Sequence, residues 1–136
     1  MRFFNSAVLY LSLSLFPLSA TTPVSAQGMP PEQIKNILDL TKTSWVSFRD
    51  WRGQQLIYFT HLESWKCGID YVFYGLNGGP LDQMWELAEC DPANPNVVLK
   101  EKPYIELPAN STQSISVQLI FPDGTKSAVE TFNYKP

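Results

Sequence analysis

The chain has 136 residues, 44% of them hydrophobic, 13% aromatic and 17% charged, which is the composition of one ordinary globular domain. It is too short for two independent cores and too rich in aromatics to be disordered throughout. Lys plus Arg is 10 against 13 Asp plus Glu, a net charge of −3, which argues against a general nucleic-acid or anionic-membrane binder.

The chain opens with a leader pattern. Met1-Arg2 is a short positive start, Ala7 to Leu18 is an uncharged run rich in Leu, and Val24-Ser25-Ala26 supplies small residues for cleavage. This is the tripartite pattern of a secretory signal, so residues 1–26 are expected to be removed, leaving Gln27 to Pro136. The apolar run is short for a bilayer span, and no second run approaches that length, so no stable membrane insertion is expected. Export to the periplasm or the exterior also sets how the cysteines read. A single pair, Cys67 and Cys90, in an oxidising compartment is most simply one disulfide. Two cysteines and the one histidine, His61, do not complete a four-ligand zinc site, and neither a metal nor a cofactor is expected.

Residues 27–43 form a lead-in. Within it, Ile34, Ile37, Leu38 and Thr41 fall at helical spacing, and Pro31 suits a first turn, which predicts a short helix over Glu32 to Lys42. From Ser44 the period changes to two. Strands are predicted over Ser44–Asp50, Gln54–Leu62, Cys67–Leu76, Leu81–Cys90, Pro103–Leu107, Gln113–Phe121 and Thr125–Tyr134. Arg52-Gly53, Asn77-Gly78-Gly79-Pro80, the loop Asp91–Asn96 and Pro122-Asp123-Gly124 punctuate them. Ile115, Val117, Leu119 and Phe121 alternate with Ser114, Ser116 and Gln118, giving one apolar and one polar face. About seven short strands separated by turn signals predict an all-β fold, an antiparallel β-sandwich filling residues 44–136 as one domain, with a small barrel as the alternative.

One register follows from the turn. A tight turn centred on the Gly78–Gly79 bond sets Val72 opposite Trp85, Phe73 opposite Met84, Leu76 opposite Leu81 and Ile69 opposite Ala88. The same symmetry sets Cys67 opposite Cys90 at the open end of the hairpin. Directly opposed, non-hydrogen-bonded residues have Cα atoms about 4.5–5.5 Å apart, within disulfide reach. The bond would clamp one strand pair rather than bridge two sheets, and would contribute roughly 3 kcal/mol.

The pattern resembles an immunoglobulin or fibronectin type III-like module. The residues that carry it are Ile69-x-Tyr71-x-Phe73, then Leu107-Pro108 ahead of Ser114-Ile115-Ser116-Val117, then the closing turn Phe121-Pro122-Asp123-Gly124-Thr125. The resemblance covers Ser44 to Tyr134. It departs from fibronectin type III modules in having Gln113 near the place of their tyrosine, and no Cys-Trp-Cys arrangement of antibody type is present. What it implies is a fold, and a fold does not imply a function.

Aromatic and charged clusters carry the functional reading. All four Trp lie between Trp45 and Trp85. Trp45 and Trp85 are expected in the core. Trp51, in Arg49-Asp50-Trp51-Arg52-Gly53, sits in a turn and between two arginines, a suitable binding anchor; Trp65 is the second exposed candidate. Glu86, Glu89 and Asp91, with Asn94 or Asn96, form an acidic cluster whose spacing does not match an EF-hand loop. His61 is expected in a strand, and no Gly-x-Ser-x-Gly elbow accompanies it. Gly75, Gly78 and Gly79 precede no helix that would cradle phosphate. Asn110-Ser111-Thr112 is a glycosylation acceptor pattern in a eukaryote. The polar face of the last hairpin suits strand addition by a partner. These features predict a small exported, non-catalytic binding domain that engages a protein through Arg49, Trp51, Arg52 and Trp65. A secreted inhibitor or immunity protein and a carbohydrate-binding module are the alternatives.

Overall fold

A computed structural model describes residues 28–136 and Pro17; the leader expected over residues 1–26 lies, but for Pro17, outside the described residues. Helix α1 (Pro31–Leu40) begins on Pro31, whose fixed φ suits a first turn and whose missing N–H costs nothing there. Its spacing turns Ile34 and Leu38 into the core. The indole Nε1 of buried Trp45 donates to the Leu38 carbonyl at 2.9 Å, satisfying one of the carbonyls a helix end leaves free. Lys42–Ser44 forms a 3-10 turn where a strand was expected to start.

Seven strands follow: β1 (Ser47–Trp51), β2 (Gln54–Tyr58), β3 (Tyr71–Leu76), β4 (Gln83–Trp85), β5 (Tyr104–Pro108), β6 (Ser114–Ile120) and β7 (Glu130–Asn133). They make two antiparallel sheets, one in the order β1-β2-β5 and one in the order β4-β3-β6-β7. This is the β-sandwich that the strand count and the immunoglobulin and fibronectin type III-like resemblance implied. Ile57 and Gln55 face inward from the first sheet; Val72, Tyr74, Trp85, Ile115, Val117 and Leu119 face inward from the second. Between them Phe59 stacks on Trp85 with ring centroids 4.6 Å apart, so Trp45 and Trp85 both belong to the core.

The hairpin register holds where it pairs: Val72 faces Trp85 and Phe73 faces Met84. The tight turn, however, is centred on the Asn77–Gly78 bond and not on Gly78–Gly79: Asn77 and Gly78 take φ values of 54° and 72°, and the Gly79 N–H donates to the Leu76 carbonyl at 2.9 Å. Gly79–Asp82 takes up the difference, so Leu76 and Leu81 form no pair. The ladder is shorter than expected, because β4 ends at Trp85 and β3 begins at Tyr71. Ile69 and Ala88 therefore form no pair. Cys67 and Cys90 are nevertheless disulfide-bonded, with Cα atoms 4.8 Å apart. Cys67 lies in a 3-10 turn (Lys66–Gly68), so the bond closes the mouth of the hairpin beyond its strands instead of lying within the sheet.

The other departure is at Gln54–Leu62. The strand stops at Tyr58, and Thr60–Ser64 forms a helical turn, α2, that buries Leu62 and Glu63. Glu63 is held by long-range partners: its carboxylate accepts from Trp85 Nε1 at 2.9 Å and from the Ala88 N–H at 3.3 Å, with Lys100 Nζ 3.8 Å away. Buried Lys66 donates to the Glu63, Pro95 and Val97 carbonyls, and Lys100 donates to the Glu86 carbonyl. The segment between β4 and β5 is thereby tied onto the sandwich. At the other end the final strand is also shorter than the expected Thr125–Tyr134. Ser127 Oγ accepts from the Leu119 N–H, which interrupts the pairing before β7.

Candidate functional site

Three of the four residues expected to bind, Arg49, Trp51 and Arg52, lie on the first sheet or its β1–β2 turn. A two-residue turn joins β1 to β2, with Arg52 at φ 50° and Gly53 at φ 75°, the backbone of a type I′ turn. Strand alternation then puts every second residue of β1 on one face. Register extends that face across the sheet: Ser47, Arg49 and Trp51 stand opposite Tyr58, Leu56 and Gln54, which stand opposite Tyr104, Glu106 and Pro108. It is the outer face, since the alternate residues Gln55 and Ile57 are in the core.

Trp51 is 45% exposed. The Arg49 guanidinium lies over its ring, 4.2 Å from the centroid, and the Arg52 guanidinium is 5.2 Å from it. Arg49 Nη1 also reaches Tyr58 Oη at 3.4 Å, and the Tyr58 and Tyr104 rings are 4.9 Å apart. Leu56, in the middle of this outer face, is only 3% exposed, because the long side chains around it close over it. The result is a continuous surface of Trp, Tyr and Arg. Among the described residues neither Arg49 nor Arg52 has a carboxylate within ion-pair distance. Asp50, between them in sequence, turns to the other side of the strand and accepts a hydrogen bond from Tyr134 Oη.

The structure thus brings Arg49, Trp51 and Arg52 together, and adds Tyr58 and Tyr104. Those two tyrosines escape sequence reasoning because only the β1–β2–β5 register sets them beside Trp51. Trp65 does not join them. It caps the end of α2 and packs, partly buried, against the core.

The other candidates resolve locally. His61 lies in α2, not in a strand, and its Nε2 is 2.8 Å from Thr41 Oγ1, whose hydroxyl also reaches the Ile37 carbonyl at 2.7 Å. A hydroxyl has one proton to give, so with Thr41 donating to Ile37, His61 Nε2–H donates to Thr41. Burial lowers the His61 pKa from its ordinary 6.5. Asp91 caps its own loop, accepting from the Ala93 N–H and the Asn94 side chain, and these bonds lower its pKa. Among the described residues no group of three or more His, Cys, Asp or Glu is placed to hold a metal ion. Asn110 occupies an exposed turn at φ 57°. Among the same residues no helix is long and apolar enough to cross a membrane. Comparison with protein-family models, with curated proteins and with solved structures finds no match to this chain.

Proposed function

We propose that the chain is an exported, non-catalytic binding domain that engages a protein partner through the outer face of β1, β2 and β5. The observation that carries this reading is Trp51, 45% exposed and flanked by the Arg49 and Arg52 guanidinium groups at 4.2 and 5.2 Å. Trp, Tyr and Arg are the residues that dominate protein–protein binding energy, and Tyr58 and Tyr104 complete the set. Arg52 supports the same reading. It holds a left-handed backbone conformation where Asn would sit at lower cost, and that local cost places a second guanidinium beside Trp51. Carbohydrate recognition is less well supported, because a sugar ring stacks on a bare indole face and Arg49 already lies over this one. The leader pattern of residues 1–26 and the Cys67–Cys90 bond support export, since disulfides persist in oxidising compartments.

The test is a cross-linked pull-down from extract of the protein's own compartment, using the oxidised chain and its Trp51→Ala variant. A partner recovered with the native chain and lost with the variant is the expected result. Identical recoveries with both would remove the function from this face.

A further inference from the structure

Along one open side of the sandwich, Tyr134 packs on Phe48 with ring centroids 5.6 Å apart and donates to Asp50, linking β1 to the chain beyond β7. Along the other, β5 is an edge strand among the described residues and borders a groove of about 450 Å³ that runs between the sheets.

The pairing tells which backbone groups β5 leaves free. The Phe59 N–H donates to the Pro103 carbonyl at 2.8 Å, which continues the β2–β5 ladder by one residue. In an antiparallel ladder, residues alternate between pointing their N–H and C=O at the partner strand and pointing them away. Pro103, Ile105 and Leu107 therefore face β2, and Tyr104 and Glu106 present both their N–H and C=O groups to the open side. Pro108, the next outward-facing residue, has no N–H to present, as expected of proline at a sheet edge, and its carbonyl is taken by Ser111. Among the described residues β5 pairs with no strand but β2, and none of them bonds the four backbone groups that Tyr104 and Glu106 present in register beside the groove.

The groove is apolar at its base and acidic at its rim. Leu76, Ile105 and Leu107, all partly buried, line it from the two sheets, and its charged residues are Asp82 and Glu106, both exposed. We propose that β5 accepts an extended segment of a partner protein as an added strand, one whose side chains alternate between apolar and basic. The apolar residues enter the groove against Leu76, Ile105 and Leu107, and the basic ones meet Asp82 and Glu106. Main-chain bonds to Tyr104 and Glu106 supply register, and the groove supplies selectivity. A second copy of this chain is a poor occupant, because antiparallel self-pairing would bring two sets of Asp82 and Glu106 together. This inference does not depend on the Trp51 surface.

The probe is a capped eight-residue peptide of alternating valine and lysine, added to the oxidised protein. The readout is residue-resolved amide hydrogen exchange by NMR. Without peptide, the Tyr104 and Glu106 amides should exchange faster than those of Ile105 and Leu107. With saturating peptide they should slow at least about tenfold, in native protein and in Trp51→Ala alike. A peptide alternating valine and glutamate should bind on the order of tenfold more weakly, and the exposed double variant Asp82→Lys/Glu106→Lys should reverse that preference. Unchanged exchange at Tyr104 and Glu106, or equal binding of the two peptides, overturns the proposal. Protection that grows with protein concentration in the absence of peptide also overturns it, by assigning the edge to a second copy.

Discussion

Gln55 and Thr112 are joined at both ends of one amide. Gln55 Nε2 donates to the Thr112 carbonyl at 2.9 Å, and the Thr112 N–H donates to Gln55 Oε1 at 3.0 Å. Both residues are buried. Gln55 projects inward from β2 and Thr112 lies just before β6, so a side chain from one sheet completes the backbone bonding of the other. Replacing Gln55 with Leu orphans a buried N–H and a buried C=O, each worth about 1–3 kcal/mol. A loss of roughly 2–5 kcal/mol is expected in urea unfolding. Gln55→Glu should recover less than half of it, because its carboxylate accepts from the N–H and repels the carbonyl.

Helix α1 rests on a glycine. A Cβ at Gly68 would stand 2.4 Å from Ile34 Cγ2, closer than any real contact. Gly68→Ala should destabilise by about 1–3 kcal/mol, and Ile34→Ala by about 2–4 kcal/mol through the cavity it leaves. The double variant should cost clearly less than the sum, because the smaller residue 34 makes room for the new methyl. Additive costs would separate the two effects.

These predictions also mark what a sequence can disclose. The Val72–Trp85 and Phe73–Met84 pairs and the Cys67–Cys90 bond were legible from the spacing of the hairpin, although its tight turn lies one residue earlier than that spacing implied. β6 was legible because, up to Leu119, its residues alternate between an apolar and a polar face. The helical turn α2 was not. Phe59 and Leu62 read as strand residues, and the turn instead buries Glu63, whose partners Trp85, Ala88 and Lys100 lie more than twenty residues away. The same limit hid Tyr58 and Tyr104 from the candidate site, where Arg49, Trp51 and Arg52 were found because neighbours in sequence form one turn.

Stability should fall on mild acidification. Burial lowers the pKa of folded His61 below its ordinary 6.5, so the unfolded chain binds a proton more readily than the folded one. The contribution is complete above pH 6.5 and declines as pH drops through that value, levelling off below the folded pKa. The slope from this residue is bounded by about 1.4 kcal/mol per pH unit. His61→Gln, which keeps a donor for Thr41 but does not titrate, should flatten the unfolding profile below pH 6.5. At more acid pH a second decline is expected from Asp123. Bonds from Thr125 and Lys35 hold its carboxyl at about 2, so its contribution is present above 3.8 and lost as pH falls towards 2.

Arg52 should trade stability against binding. Arg52→Asn places the residue a type I′ turn prefers ahead of Gly53, and a gain of about 0.5–1 kcal/mol in unfolding free energy is expected. The same change removes one of the two guanidinium groups beside Trp51. Partner binding should weaken, roughly threefold to tenfold for one contact at the rim of the surface. A variant that gained stability and bound equally well would assign Arg52 to the turn alone.

The position of the disulfide has a consequence for how the chain assembles. A chain synthesised N-terminus first delivers Cys67 and Cys90, 23 residues apart, before any of β5, β6 or β7. The β3–β4 hairpin can thus be locked by oxidation while half of its own sheet and one outer strand of the other are still to come. Until β5 arrives, β2 has one neighbour, and Gln55 waits for Thr112. A reductant should therefore do its greatest damage before β5, β6 and β7 have formed rather than to the finished domain.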